Sequence, residues 1–329
     1  MAAYTTIDDP SAYFKVQLYT GNGAANHSIT FDDTDTDMEP NLVWIKNRAQ
    51  SDPNQLIDSV RGVTKTLDSD SNDGEVTDTD TLDAFESDGF RVDADVKVNT
   101  NTETYVAWCW KESATSGFDI LTYTGNGSAR TISHSLSAVP HASFFKRLEI
   151  DGKGWAVYHR GIGNTHLLAL TAADPAADDA SYWNDTDPTS SVFTVGTANG
   201  VNQDGGSYIA YLWSSIQGFS KFGSYEANGN ADGAFVYTGF RPACVITKDA
   251  DSASNQWRIF DNKRGVNGSS KYQYPSATTT EGGEDHLDFH ANGFKLRKSD
   301  DANDSGTHVY WAWAEAPFVN SNGVPCNAR

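Results

Sequence analysis

The stretch Tyr105-Val106-Ala107-Trp108-Cys109-Trp110 returns as Tyr208-Ile209-Ala210-Tyr211-Leu212-Trp213 and as His308-Val309-Tyr310-Trp311-Ala312-Trp313. The spacings are 103 and 100 residues, so one unit of about a hundred residues is written three times, and such a repeat governs the reading of everything around it. Each copy is aromatic and β-branched, free of Gly and Pro, with a period of two, which predicts a strand. Alternation sends Val106, Trp108 and Trp110 to one face and Tyr105, Ala107 and Cys109 to the other. Ile209, Tyr211 and Trp213, then Val309, Trp311 and Trp313, take the first face in the later copies. An aromatic side chain there buries about 150–250 Å², roughly 4–6 kcal/mol of gross hydrophobic stabilisation. These residues predict the central core strand of each unit; the functional alternative is an aromatic sugar-binding platform.

Working outward, the opening Leu18-Tyr19-Thr20-Gly21-Asn22-Gly23 recurs as Thr122-Tyr123-Thr124-Gly125-Asn126-Gly127 and, worn, as Ser224-Tyr225-Glu226-Ala227-Asn228-Gly229. Asn-Gly predicts a hairpin turn after a strand. No helical pattern follows, so the phosphate-cradling reading of Gly-x-Gly is weak. Pro40, Pro140 and Pro242 each predict the start of a strand, with Lys46, Lys146 and Lys248 near its end. A further strand carries an Arg-Gly pair in every copy, at Arg61, Arg160 and Arg264. Asp58 and Asp261 precede two of them by three residues, which predicts a hydrogen-bond organiser within the unit. A clamp for carboxylate sugars is the sharper alternative. Asp88-Gly89 and Asn292-Gly293 predict hairpins late in the first and third copies, while the second keeps only Phe193-Thr194-Val195-Gly196.

These elements predict an all-β protein of three tandem antiparallel β-sandwich, jelly-roll-like modules of about 100 residues with seven or eight strands each. Their bounds are 17–116, 117–219 and 220–317, after a lead-in at 1–16 that could dock to a particle and before a tail at 318–329. Helix is expected to be minor.

The chain has 44 acidic and 24 basic residues and a formal charge of −20. A surface that negative repels a phosphate backbone and argues against nucleic acid. No apolar run is long enough to span a membrane as a helix. The start, Met1-Ala2-Ala3-Tyr4-Thr5, has neither the basic residues nor the apolar run of a signal peptide, which predicts synthesis in a cytosol. Three cysteines cannot form a complete disulfide framework. Cys109, aligned with Leu212 and Ala312, reads as a small core residue.

Searches for chemistry find no nucleophile elbow, metalloprotease helix, phosphate loop or Cys-x-x-Cys. His286 and His290, four apart, lack further zinc ligands. Asp68-Ser69-Asp70-Ser71-Asn72-Asp73-Gly74-Glu75 suggests calcium, but an EF-hand beginning at Asp68 wants Gly where Asp73 stands and Glu where Thr79 stands. The expectation is therefore no cofactor and no enzymatic activity, with a looser calcium site as the cation alternative. A polysaccharide depolymerase would need two carboxylates about 5–9.5 Å apart.

Tyr4 through Pro10, Tyr19 through Gly23, Pro40 through Arg48, Asp88-Gly89-Phe90 and Tyr105 through Lys111 together resemble a repeat family of tailed, especially marine, bacteriophages described as virion structural or tail-fibre-like proteins. The resemblance covers most of the chain and is strongest in the first copy. It implies a component of the virion, made in the host cytoplasm and exposed as a tail fibre, appendage or head decoration. The implied partners are other virion proteins, further copies of the chain and host surface glycans. A lectin-like carbohydrate-binding protein is the alternative.

Overall fold

Each copy of the repeat builds a first strand, then a central strand paired to it at the far end of the unit. The computed structural model describes residues 3–31, 36–149 and 152–326. In the first repeat these are β1 (Phe14–Thr20), β2 (His27–Thr30), β3 (Leu42–Asn47), β4 (Gln55–Asp58), β5 (Lys65–Asp68), β6 (Val76–Thr77), β7 (Leu82–Glu86), β8 (Gly89–Val92), α1 (Val96–Asn99) and β9 (Thr104–Trp110). The second contains β10 (Phe118–Thr124), β11 (Arg130–Ser133), β12 (Ala142–Arg147), β13 (Ala156–His159), β14 (His166–Ala169), β15 (Ala177–Asp178), α2 (Ala180–Trp183), β16 (Val192–Val195), α3 (Asn199–Asn202) and β17 (Ser207–Trp213). The third contains β18 (Ser220–Ala227), β19 (Phe235–Tyr237), β20 (Phe240–Asp249), β21 (Arg258–Asp261), β22 (Lys271–Gln273), β23 (Gly282–Gly283), β24 (Leu287–His290), β25 (Gly293–Leu296) and β26 (Gly306–Pro317).

The protein is all-β, and its sheets are antiparallel and open. Three six-stranded sheets share one order: β1-β9-β3-β4-β5-β6, β10-β17-β12-β13-β14-β15 and β18-β26-β20-β21-β22-β23. A small sheet accompanies each, β2-β8-β7, β11-β16 and β19-β25-β24. The second repeat has replaced one strand of its small sheet with the single turn α2. The central strands β9, β17 and β26 are flanked on both sides, as their apolar sequences predict.

Both faces of these strands are buried; in the first two repeats they belong to different cores, whereas in the third Tyr310 and Ala312 join the same core as Trp311 and Trp313. Tyr105, Ala107 and Cys109 pack with Val43, Ile45, Phe90 and Val92 beneath the first small sheet. Ala210 and Leu212 pack likewise with Phe145, Trp183 and Phe193. The aromatic face points the other way. Trp108 and Trp110, Tyr211 and Trp213, and Trp311 and Trp313 meet in one core shared by all three repeats. Trp110, Trp213 and Trp313 contact one another pairwise, with ring centroids 6.3, 5.2 and 6.1 Å apart. The expectation of a core strand within each unit is thus corrected in one respect: its largest side chains join units together.

Three corners behave differently from the sequence reading. Asn22-Gly23 is no two-residue hairpin, because β1 pairs with β9 and β2 with β8. It is a corner from large sheet to small, pinned by Asn99, whose Oδ1 accepts from Asn22 N at 2.9 Å and whose Nδ2 donates to the Ala24 and Asp93 carbonyls. Asn202 and Asn303 hold Asn126 and Asn228 the same way. All three pinning asparagines are fully buried, and Gly23, Gly127 and Gly229 supply the positive φ that each corner requires. Pro40 and Pro140 stand just before their strands, but Pro242 lies inside β20, where the pairing with β26 shifts register.

The lead-in packs against the rest of the chain. Thr5, Ile7 and Pro10 are buried, Tyr4 OH donates to the Gly239 carbonyl at 2.7 Å, and Tyr13 meets Phe219 edge-on. Asp8 accepts from Ser321 N at 2.6 Å in the tail. These contacts tie the lead-in to the second and third repeats and to the tail. No helix of the described residues is long and apolar enough to cross a membrane.

Candidate functional site

The recurrent residues first define three seams. In the pairing register Asp58 faces Leu42, His159 faces Ala142 and Asp261 faces Cys244, so these three are equivalent. Each reaches the central strand of another repeat. Asp58 accepts from Tyr211 OH at 2.7 Å, and Asp261 accepts from Trp108 Nε1 at 3.1 Å. His159 Nε2 donates to the Tyr310 carbonyl at 3.2 Å, and its ring lies 4.4 Å from Trp311. The chain of contacts therefore runs first to second, second to third and third back to first.

The lysines follow the same cycle. Lys146 Nζ donates to the Asn72 carbonyl, Lys248 Nζ to Ala173 and Lys46 Nζ to Thr278, at 3.1, 3.0 and 3.0 Å. All three are fully buried. Burial pushes Lys46 and Lys248 down to about 8, the expected response of an ammonium removed from water. Asn54, Trp155 and Trp257 complete the seams by donating to backbone carbonyls of the neighbouring repeat.

Arg61 and Arg264 are the organisers their spacing predicts. Each donates from Nε to its aspartate at 2.6 Å and from Nη2 to a backbone carbonyl of its own repeat. Arg61 also donates to Tyr211 OH at 3.2 Å, and the Arg264 guanidinium lies 5.1 Å from the Trp108 ring centre. Arg160 does not belong with them. Its N donates to the His141 carbonyl as Ser59 N donates to Asn41, so it occupies the position of Ser59 and not of Arg61. The second-repeat turn brings arginine two residues early, and Ile162 takes the seam position. The Arg-Gly match is a coincidence of letters across turns of different composition.

That displacement leaves a cleft. Val139, Pro140, His141, Tyr158, Arg160, Gly163, Asp187 and Pro188 surround about 370 Å³ on the surface of the second repeat. Arg160 is exposed and makes no ion pair or side-chain hydrogen bond with any described residue. His141 Nδ1 accepts from Ser215 N at 2.8 Å, which places its proton on Nε2. Burial, then the nearby Arg160 charge, pushes His141 down to about 4, so the ring is neutral at pH 7. Burial raises Tyr158 to about 12, so its hydroxyl stays protonated. Behind Tyr158 a small apolar recess is lined by Phe145, Trp183 and Phe193. In the first repeat the matching Asn41 closes on its neighbour, donating from Nδ2 to Ser59 Oγ at 3.0 Å.

The remaining sequence candidates resolve into structure. All nine tryptophans are buried, so Trp108, Trp110, Tyr211, Trp213, Trp311 and Trp313 form no sugar platform. The acidic loop is bonded within the chain: Asp68 accepts from Gln55, Asp70 from Asn54 and Asp73 from Ser71, while Glu75 pairs with Arg61 and Lys65. No group of three His, Cys, Asp or Glu is placed to hold a metal among the described residues. His286 joins Asp300 at 2.7 Å and Arg258, whereas His290 meets Phe235 edge-on. Burial and then the neighbouring Asp119 push Glu112 up to about 7.

The chain belongs to the family described as a domain of unknown function (DUF7483), whose profile matches residues 9–317. No curated protein matches it.

Proposed function

We propose that this chain is a non-enzymatic structural component of a tailed-bacteriophage particle, exposed as a fibre, appendage or head decoration and contacting host glycans through its second repeat. Each repeat then serves as one jelly-roll-like sandwich module, with its small sheet facing outward. The observation that carries the reading is the fate of the recurrent side chains: Asp58, Asp261, Arg61, Arg264 and the three lysines are all committed to seams between repeats. What the sequence repeats is architecture, as a load-carrying particle component requires. The resemblance of Pro40 through Arg48 and Tyr105 through Lys111 to phage virion proteins supports the setting.

Cryo-electron microscopy of the particle encoded with this chain tests the reading. Density on the exterior, with the second-repeat cleft facing solvent, is the expected result; absence of the chain from purified particles would sink it. A lectin-like protein acting without a particle is favoured by one feature, the cleft itself, and predicts that outcome of absence.

A further inference from the structure

We infer that the second-repeat cleft is a binding site for a carboxylate-bearing sugar, with Arg160 holding the carboxylate and Tyr158, His141 and Asp187 holding ring hydroxyls. This deepens the recognition half of the function proposed above and rests on the chemistry of one group of side chains.

The cleft offers donors that no described residue receives. The Arg160 guanidinium, the Tyr158 hydroxyl and His141 Nε2–H have no hydrogen-bond partner among the described residues, yet all three residues line one volume of about 370 Å³. A planar guanidinium matches a carboxylate with two parallel hydrogen bonds. Phenol and neutral imidazole match hydroxyl oxygens, and Asp187 supplies an acceptor on the same rim. A pyranose ring carrying one carboxylate presents that combination of one anion and several hydroxyls. The apolar wall of Pro140 and Pro188 suits the non-polar face of such a ring. A simple inorganic anion would use Arg160 and leave the acceptor and the apolar wall idle.

Electrostatics sharpens the choice. On a chain of charge −20, an anionic polymer is repelled everywhere except where a cation stands unpaired. Arg61 and Arg264, buried against Asp58 and Asp261, offer no such place. The second repeat acquires one by moving its arginine two residues along the turn, out of the seam.

The test is binding of a purified glucuronate-containing tetrasaccharide to the full chain, followed by calorimetry and by the His141 ring signals in NMR, beside the same oligosaccharide with its carboxyls reduced to alcohols. The acid is expected to bind at one site and to shift the His141 signals, with affinity at least tenfold weaker for the reduced form and for Arg160→Ala. Tyr158→Phe is expected to weaken binding about threefold to tenfold while leaving the fold intact. Equal affinity for acid and reduced forms, unchanged affinity in Arg160→Ala, or no binding at concentrations up to about 10 mM would each overturn the assignment. Because the assay uses the isolated chain, its failure leaves the particle location to be judged separately, and absence from the particle leaves the binding result standing.

Discussion

Two of the three seams carry a buried Asp-Arg pair and the third has a neutral histidine in place of the aspartate, though all use the same positions. Between the first and second repeats, and between the third and first, an Asp-Arg pair anchors a turn whose aspartate also takes a hydrogen bond from a tyrosine or tryptophan of the neighbouring central strand. Between the second and third, neutral His159 lies against Trp311 in a tilted ring contact, and Ile162 packs where arginine stands elsewhere. Burying an ion pair contributes little net stability over an apolar filling, but breaking it leaves a stranded charge. The comparison teaches that a seam without the Asp-Arg pair can hold the repeats together while releasing its arginine for another use.

The largest effect separates the two kinds of seam. Asp261→Ala is expected to cost about 3 kcal/mol or more, because Arg264 loses its 2.6 Å partner and keeps only Glu281 at 3.6 Å, while Trp108 Nε1 loses its acceptor. His159→Ala, which removes a neutral hydrogen bond and a ring contact, is expected to cost about 1–3 kcal/mol. Chemical denaturation measures both, and equal losses would erase the distinction. A second comparison sharpens it. His159→Asp alone strands a buried carboxylate, and adding Ile162→Arg is expected to recover most of the loss; a double variant no better than the single one would show that the second turn cannot adopt the charged arrangement.

Acid makes a smaller, directional difference. Burial first, despite the hydrogen bond to the Tyr310 carbonyl, holds His159 down at about 3 in the folded chain, against about 6.5 when unfolded. Between those values the unfolded chain binds more protons, so this group's contribution is complete above about pH 6.5 and is lost as pH falls toward 3. Thermal melts of the wild type and His159→Gln are expected to differ in their pH slope over that window, with the wild type steeper. Parallel slopes would mean that His159 is charged or exposed. Smallest of all is Arg160→Ala, expected to change stability by no more than about 0.5 kcal/mol, since the residue is exposed and unpaired.

Much of the fold was legible in the sequence, for physical reasons that also mark where legibility stopped. Alternation along Tyr105 through Trp110 reports which residues share a face, and the two cores separate on that alternation. It cannot report what covers a face, so the meeting of Trp110, Trp213 and Trp313 required the structure. Asn99, Asn202 and Asn303 draw no notice in the sequence, because an asparagine pinning a corner through buried hydrogen bonds has the same letter as one in water. Their regular recurrence was the signal that could have found them. Arg160 was misassigned because identity of a dipeptide ignores turn length, whereas the bond from Arg160 N to the His141 carbonyl fixes the register. The cleft was invisible for the same reason: it exists only once Arg160 is known to leave the seam.

The account rests on the seams joining three repeats into one cooperative body, and differential scanning calorimetry of the full chain tests that most directly. Proteins of this length commonly unfold in stages, so the expectation is a demanding one. A single transition whose calorimetric and van't Hoff enthalpies agree, displaced as a whole by Asp261→Ala, is the predicted result. Separate transitions, with Asp261→Ala shifting only one of them, would show that the repeats stand independently and would contradict the account.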